Sequence, residues 1–231
     1  MKTPQKIAFI HFGKCAGMYT NFYLTDKVFK PNNYSIFNGW HEYSHLKLET
    51  LRDFTEEELL QISTYNKNKA YCHNHHINWS DKSVDAFNQN NWLTFTFIRK
   101  PENLICSLYF WGNNMIKQAH FNPFINVELK KLTLDEFINI CIERDDLRRL
   151  WVLPSYIEKL NYVKEFSNDS FTVFLKKYFN LNHEIRPIRN KSDNKGFKNH
   201  FEEGLIKKNT LNRLINDLDF AKYKKYLKCT I

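Results

Sequence analysis

Glycine and proline are scarce in this chain, at 6 each among 231 residues. No linker, internal repeat or low-complexity tract is visible, and each glycine beside a strand end therefore carries information. The five cysteines stand at positions 15, 72, 106, 141 and 229 without any Cys-x-x-Cys pair. Their odd number and wide spacing argue against a disulfide framework or a structural zinc site, and for a reducing compartment. No run approaches the ~20 apolar residues needed to span a bilayer. The first residues lead almost at once into an apolar strand, lacking the apolar stretch and cleavage site of a signal peptide. The expectation is a soluble protein without a transmembrane segment, cytoplasmic if bacterial.

What is present supports a folded α/β protein. Hydrophobic residues make up 42% and aromatic residues 16%, enough for a substantial core, which excludes global disorder. The length fits one domain over residues 1–231. A net charge of +9 implies an anionic partner, whether nucleotide, nucleic acid, acidic glycan or membrane surface. The plainer reading of that charge is a soluble surface in a Lys- and Asn-rich composition.

Strands are expected at 6–11, 70–72, 93–98 and 161–166. Helices are expected at 17–29, from Pro101 to 117, and at 169–179 with Phe171, Phe174, Leu175 and Tyr178 on one face. Thr55 with Glu58, and Thr133 with Glu136, read as capping boxes opening two more helices. Residues 31–44 read as loop, 186–196 as a basic loop, and 203–226 as a final amphipathic helix. Strands alternating with helices imply a parallel sheet, whose ligands sit at the carboxyl ends of the strands.

Two of those strand ends carry chemistry. Lys6-Ile-Ala-Phe-Ile-His-Phe-Gly-Lys-Cys-Ala-Gly17 is a strand running into a tight loop with one lysine, then a helix. Backbone N–H groups, a helix N-terminus and an ammonium converge there, which suits a phosphate or sulfate group. The segment Leu93-Thr-Phe-Thr-Phe-Ile-Arg99 repeats the plan with an arginine. Two such ends suggest a ligand with phosphates at both of its own ends. An ordinary nucleotide P-loop needs Gly-x-x-x-x-Gly-Lys-Ser/Thr with the hydroxyl on magnesium. Here Cys15 follows the lysine and the glycine spacing differs, which disfavours a Mg-dependent kinase.

These residues resemble the sulfotransferases that use 3′-phosphoadenosine 5′-phosphosulfate (PAPS), particularly the carbohydrate, 2-O-sulfotransferase-like branch. The first family motif, His-Ile-Pro-Lys-Thr-Gly-Gly-Thr-Ser, is similar to His11-Phe-Gly-Lys-Cys-Ala-Gly-Met-Tyr19, which loses the proline and both hydroxyls. The second, Phe-x-Phe-x-Arg-Asp-Pro-x-x-Arg-x-x-Ser, is similar to the stretch from Phe95 to Ser107; Arg99, Pro101 and Ser107 match, whereas Lys100 and Leu104 depart. Arg189-Asn-Lys-Ser192 resembles the family's late cofactor-binding loop.

The resemblance implies a single P-loop-like α/β domain with a central parallel sheet flanked by helices. It implies PAPS as cofactor and a hydroxyl-bearing acceptor, a carbohydrate in this branch, with no nucleic acid beyond the nucleotide. Lys14 would neutralise charge on the leaving group, and the loop Gly13, Lys14, Cys15, Ala16, Gly17 would hold the 5′-phosphate. Met18 and Tyr19 stand where the family has hydroxyls, so Thr20 or backbone must compensate. Arg99 and Ser107 would hold the 3′-phosphate, with Asn190, Ser192 and Lys195 closing over the cofactor. The alternative for Arg99 is a surface ion pair with Glu102.

An acceptor hydroxyl needs a base, and histidine supplies one near neutral pH. Tyr71-Cys-His-Asn-His-His-Ile-Asn-Trp79 resembles the His-x-His stretch of the 2-O-sulfotransferases. That carry-over makes His75 the base and His73 a neighbour that orients it or binds acceptor. Strand alternation puts 73 and 75 on one face and 76 on the other, which argues against zinc held by this cluster; a structural histidine cluster is the competing reading. The stretch from Gly39 to His45 offers groups that stack on sugar, or is an ordinary loop. Arg148 and Arg149 read as a charged helix end. A basic nucleic-acid-binding protein and a small-molecule kinase are the readings from other classes; the first predicts steep salt dependence and the second a need for magnesium.

Overall fold

Lys6–His11 forms the central strand, β1, of a five-stranded sheet in the computed structural model. The structure describes residues 4–13, 15–39, 53–66, 68–117, 132–144, 153–182, 197–216, 222–223 and 225–227. The other strands are β2 (Ser35–Asn38), β3 (Ala70–His75), β4 (Leu93–Ile98) and β5 (Tyr162–Glu165). All four neighbouring pairs are parallel and their order is β2-β3-β1-β4-β5. β1 thus lies where the strand order reverses, and the crevice outside its carboxyl end is where open α/β sheets take their ligands.

Contacts divide the chain into two compact units, Met1–Ile98 with Pro154–Pro187, and Arg99–Leu153 with Ile188–Ile231. The whole sheet belongs to the first. Helix α1 (Gly17–Leu24) continues into a π-helical turn, Thr25–Phe29. Tyr23, Leu24, Val28 and Phe29 from this segment pack on Ile7, Phe9, Tyr71, Phe95 and Phe97 of the sheet. Phe171, Phe174 and Leu175 join the same core from a later helix, Asn168–Phe179, and all three are fully buried. Fully burying a phenylalanine contributes about 1.5–3 kcal/mol, so this aromatic layer dominates the unit's stability.

Helices α2 (Glu56–Ser63) and α3 (Asp81–Gln89) complete the first half of this unit and pack on one another. Thr55 and Glu58 make the expected capping box, at 3.3 and 2.8 Å. Ser80 with Ser83 makes a second that a Glu-seeking pattern misses, because serine takes the returning role. A third of that serine type, Ser167 with Ser170, opens the 168–179 helix.

The second unit holds α4 (Pro101–Lys117) and α5 (Leu134–Glu143), the latter opened by the expected Thr133–Glu136 box. The helix at 168–179 being α6, this unit also holds α7 (Phe197–Glu202) and α8 (Lys208–Ile215). A single final helix over 203–226 is not what forms. Gly204 adopts φ 75°, and Gly204 N and Leu205 N close the end of α7 on the carbonyls of Phe201 and His200. Glycine tolerates that backbone and so stops the helix. The chain restarts at Lys207, whose N–H donates to Asp135 Oδ1 at 2.8 Å, and Arg213 of α8 reaches Asn139 and Glu143 of α5.

Two further expectations are corrected. Residues 31–44, read as loop, contain the edge strand β2, which pairs from Ser35↔Ala70 to Asn38↔His73. The strand expected at 70–72 runs on to His75, because its polar end finds partners on both neighbouring strands. No described helix is long and apolar enough to cross a membrane.

Candidate functional site

The chain turns as soon as β1 ends. Cys15 N donates to Phe12 O at 3.3 Å, bringing the chain back on itself just after the strand; Lys14 lies outside the described residues. Ala16 then adopts left-handed backbone, φ 58° and ψ 23°, and α1 begins at Gly17 with no capping side chain. A left-handed alanine costs on the order of 1 kcal/mol and persists only where its surroundings impose it. Thr20, within the first turns of α1, is fully buried, and its Oγ1 has no hydrogen-bond partner among the described residues.

Beneath this turn the parallel register gathers histidines. Phe9 pairs with His73 and His11 with His75, so the side chains of all four stand on the same face. His11 and His73 are 3% and 0% exposed. His73 Nδ1 lies 2.7 Å from Asn38 Oδ1, and His73 Nε2 lies 3.2 Å from His11 Nδ1. The His11 ring presses against the start of α1: a side-chain carbon at Gly17 would sit 1.9 Å from it. A carbon at Gly13 would lie 3.5 Å from His75 Nε2, which puts that nitrogen against the loop. Gly17 is therefore small because a histidine ring occupies its side-chain space.

A test follows from these two distances. Gly17→Ala forces a ring or the helix to move and should destabilise by about 1–3 kcal/mol, as overpacked sites do. Gly13→Ala meets only ordinary van der Waals contact and should change stability far less. Denaturant midpoints of the two variants read the difference; equal shifts would refute the packing described.

Strand alternation ends at His75, where a short 3₁₀ turn, His76–Asn78, begins. The rings of His75 and His76 consequently lie 4.5 Å apart centre to centre, tilted at 46°, rather than on opposite faces as alternation predicts. His76 stacks on Phe12 at 4.4 Å. Burial pushes His75 down to about 4. It pushes His76 to about 3, with the His75 charge adding to the effect and a hydrogen bond to the His11 backbone opposing it. Both rings are neutral at pH 7. His75 N approaches Asp53 Oδ1 at 3.4 Å, and burial raises the Asp53 carboxyl above its ordinary value against that hydrogen bond. Among the described residues no group of three or more His, Cys, Asp and Glu side chains is arranged to hold a metal ion.

The remaining expected site residues fall into three groups. In the first unit, Cys15 is buried and Met18 half-buried, while the Tyr19 ring packs against Tyr23, Phe166 and Phe171, so the core claims it. In the second unit, Arg99 is half-buried just before α4, and Glu102 and Ser107 are 3% and 2% exposed. Burial pushes the Cys106 thiol up to about 12, with Arg99 lowering it and Glu102 raising it, so both charges act on the first turns of α4. Asn190, Ser192, Lys195, the 40–45 stretch, Arg148 and Arg149 lie outside the described residues.

Asn38, Asp53 and the contribution of His11 were not foreseen. Only the pairing of β1 and β2 with β3 brings them to His73 and His75, and that pairing spans long sequence separations. The alternation of His73 and His75 along one strand was the local signal. No family model matches this chain, and no curated protein or solved structure matches it significantly.

Proposed function

We propose that the protein is a sulfotransferase of P-loop-like fold that moves the sulfuryl group of PAPS to an acceptor hydroxyl, that of a carbohydrate by the motif resemblance. The observation that carries this reading is the placement of His75 Nε2 against Gly13. It puts a neutral imidazole beside the Gly-Lys loop, at the carboxyl end of the central parallel strand. The uncapped start of α1 and the partnerless, buried Thr20 hydroxyl fit an anion there, since each is a donor left without an acceptor among the described residues.

PAPS, when bound, supplies the activated sulfuryl group. The N–H groups of the 13–17 loop and the Thr20 hydroxyl hold the 5′-phosphate. Lys14 would offset negative charge developing on the leaving phosphate oxygen. Arg99, as a fork donor, and Ser107 hold the 3′-phosphate. His75 Nε2 would accept the proton of the acceptor hydroxyl. A value near 4 makes a weak base, but phosphate charges beside the ring favour its protonated form and move it back toward neutral pH.

Calorimetry with 3′-phosphoadenosine 5′-phosphate, the desulfated product, tests this directly, without magnesium. Wild-type protein should bind it, and Arg99→Ala should weaken binding about 10–100-fold, the size of a lost charge-assisted hydrogen bond. A wild type that does not bind removes the reading. Lys14→Ala should lower turnover more than affinity, because its effect grows with the developing charge; equal losses would reassign Lys14 to ground-state binding.

A further inference from the structure

Tyr156 stands 80 residues beyond His76 in the chain, and its hydroxyl donates to the His76 carbonyl at 2.7 Å. We propose that this bond makes Tyr156 a positioning residue: it fixes the 76–78 turn and, through that turn, the place of the His75 ring against Gly13. The catalytic half of the proposal rests on the sulfotransferase reading, in which His75 is the base.

The turn is a weak element by itself. Pairing of β3 with β1 ends at His11↔His75. The three-residue 3₁₀ turn that follows is closed by Trp79 N on His76 O at 3.2 Å. Turns of this kind are short, and their hydrogen-bond geometry is poor. The His76 carbonyl accepts from Trp79 N and from Tyr156 together, which occupies both of its lone pairs. The direction of the second bond is fixed. A carbonyl only accepts, and burial, with the Asp81 charge adding to it, raises the Tyr156 phenol so that it keeps its proton.

Tyr156 can serve as an anchor because its own segment is held. It is 3% exposed and lies in a second 3₁₀ turn, Ser155–Lys159, which packs on α3. Lys159 bridges Asp81 and Asp85 of α3 at 3.0 and 2.6 Å. Its carbonyl accepts from Asn88 Nδ2 at 2.9 Å, and Ser155 donates to Asp81. On the far side of the bond, the His76 ring stacks on Phe12, the residue before Gly13, at 4.4 Å. It also lies 4.5 Å from the His75 ring. A connected path therefore runs from α3 through Tyr156 and the turn to the candidate base and its loop.

Tyr156→Phe keeps the buried ring and removes the donor. Tyr162→Phe is the matched control, since that hydroxyl donates to Ser170 O at 3.2 Å from the aromatic core. Proton–nitrogen NMR of the histidine rings at pH 7 should show the His75 and His76 signals shifted in Tyr156→Phe and unmoved in Tyr162→Phe. Unmoved signals in Tyr156→Phe, or equal shifts in both variants, overturn the positioning role. PAPS turnover should fall about tenfold in Tyr156→Phe, the size of one hydrogen bond lost, with affinity for 3′-phosphoadenosine 5′-phosphate unchanged. A loss that falls on affinity instead overturns the link to the base. In a His75→Ala background, Tyr156→Phe should cost no further turnover, because it acts through that ring; a second tenfold loss overturns the path. Should the wild type neither bind nor turn over the nucleotide, the sulfotransferase reading falls, and the ring signals still decide whether Tyr156 holds the turn.

Discussion

Lowering the pH from 7 to 5 should cost the folded protein about 3–4 kcal/mol through His75 and His76 alone. Burial holds these rings at about 4 and about 3 in the folded protein, whereas an unfolded histidine titrates near 6.5. Between those values the unfolded chain binds protons that the native one refuses, so stability rises with pH across the window. The contribution is complete above about pH 6.5 and is lost as pH falls toward 4. Each ring then accounts for nearly 2 kcal/mol at pH 5, taking 1.36 kcal/mol per unit. Against a typical total of 5–15 kcal/mol, that is a large share. Denaturant unfolding at pH 7, 6 and 5 measures it above the range where most carboxylates titrate. His75→Gln should remove roughly half of the slope. A wild type equally stable at pH 7 and 5 would contradict the buried, neutral state of both rings.

On the proposed sulfotransferase function, His75→Ala should lower sulfuryl transfer by about 10²–10⁴-fold, the usual contribution of a positioned general base. The loss should fall on turnover, with nucleotide affinity little changed, because in the proposed reaction Nε2 would act on the acceptor's proton rather than on a phosphate. PAPS turnover over a panel of hydroxyl acceptors provides the measurement, and product binding by the variant provides the check that the loop survives. A retained rate would transfer the role elsewhere. His73 is poorly suited, since both its ring nitrogens already face partners. His41 and a carboxylate, Asp53 being near His75 through its backbone, would be next.

The fold was legible where one residue type in one window carries the physics. β1 and β4 are apolar runs ending at charged or glycine-bearing loops, and both appear at the expected residues. Thr55 and Thr133 mark helix starts through local hydrogen bonds that need nothing from the rest of the chain. β2 was missed because Ser35-Ile-Phe-Asn38 is four residues long and follows the turn-forming Pro31-Asn-Asn33; only pairing with β3 makes it a strand. The end of β3 was missed for the opposite reason. His73-Asn-His75 looks too polar for a sheet interior, yet His73 bonds Asn38 and His11, and Asn74 exchanges hydrogen bonds with the Phe54 backbone. Satisfied polar groups can be buried, and satisfaction across 20–60 residues leaves no local mark. The same holds at the site. The Gly-Lys loop could be located from its sequence, but the histidine ring filling Gly17's side-chain space could not.

An all-parallel arrangement also shapes how the chain is made. Lys6 finds its partner Ala70 more than sixty residues further along, and Ile7 reaches Leu93 later still. At ribosomal speeds of ~5–20 residues per second, β1 waits several seconds with both edges unpaired and an apolar sequence exposed. Loop closure must be met before any of its contacts are gained, so assembly is slow by topology. The strand that ends in the candidate catalytic loop is thus also the one most in need of a chaperone's shelter at birth.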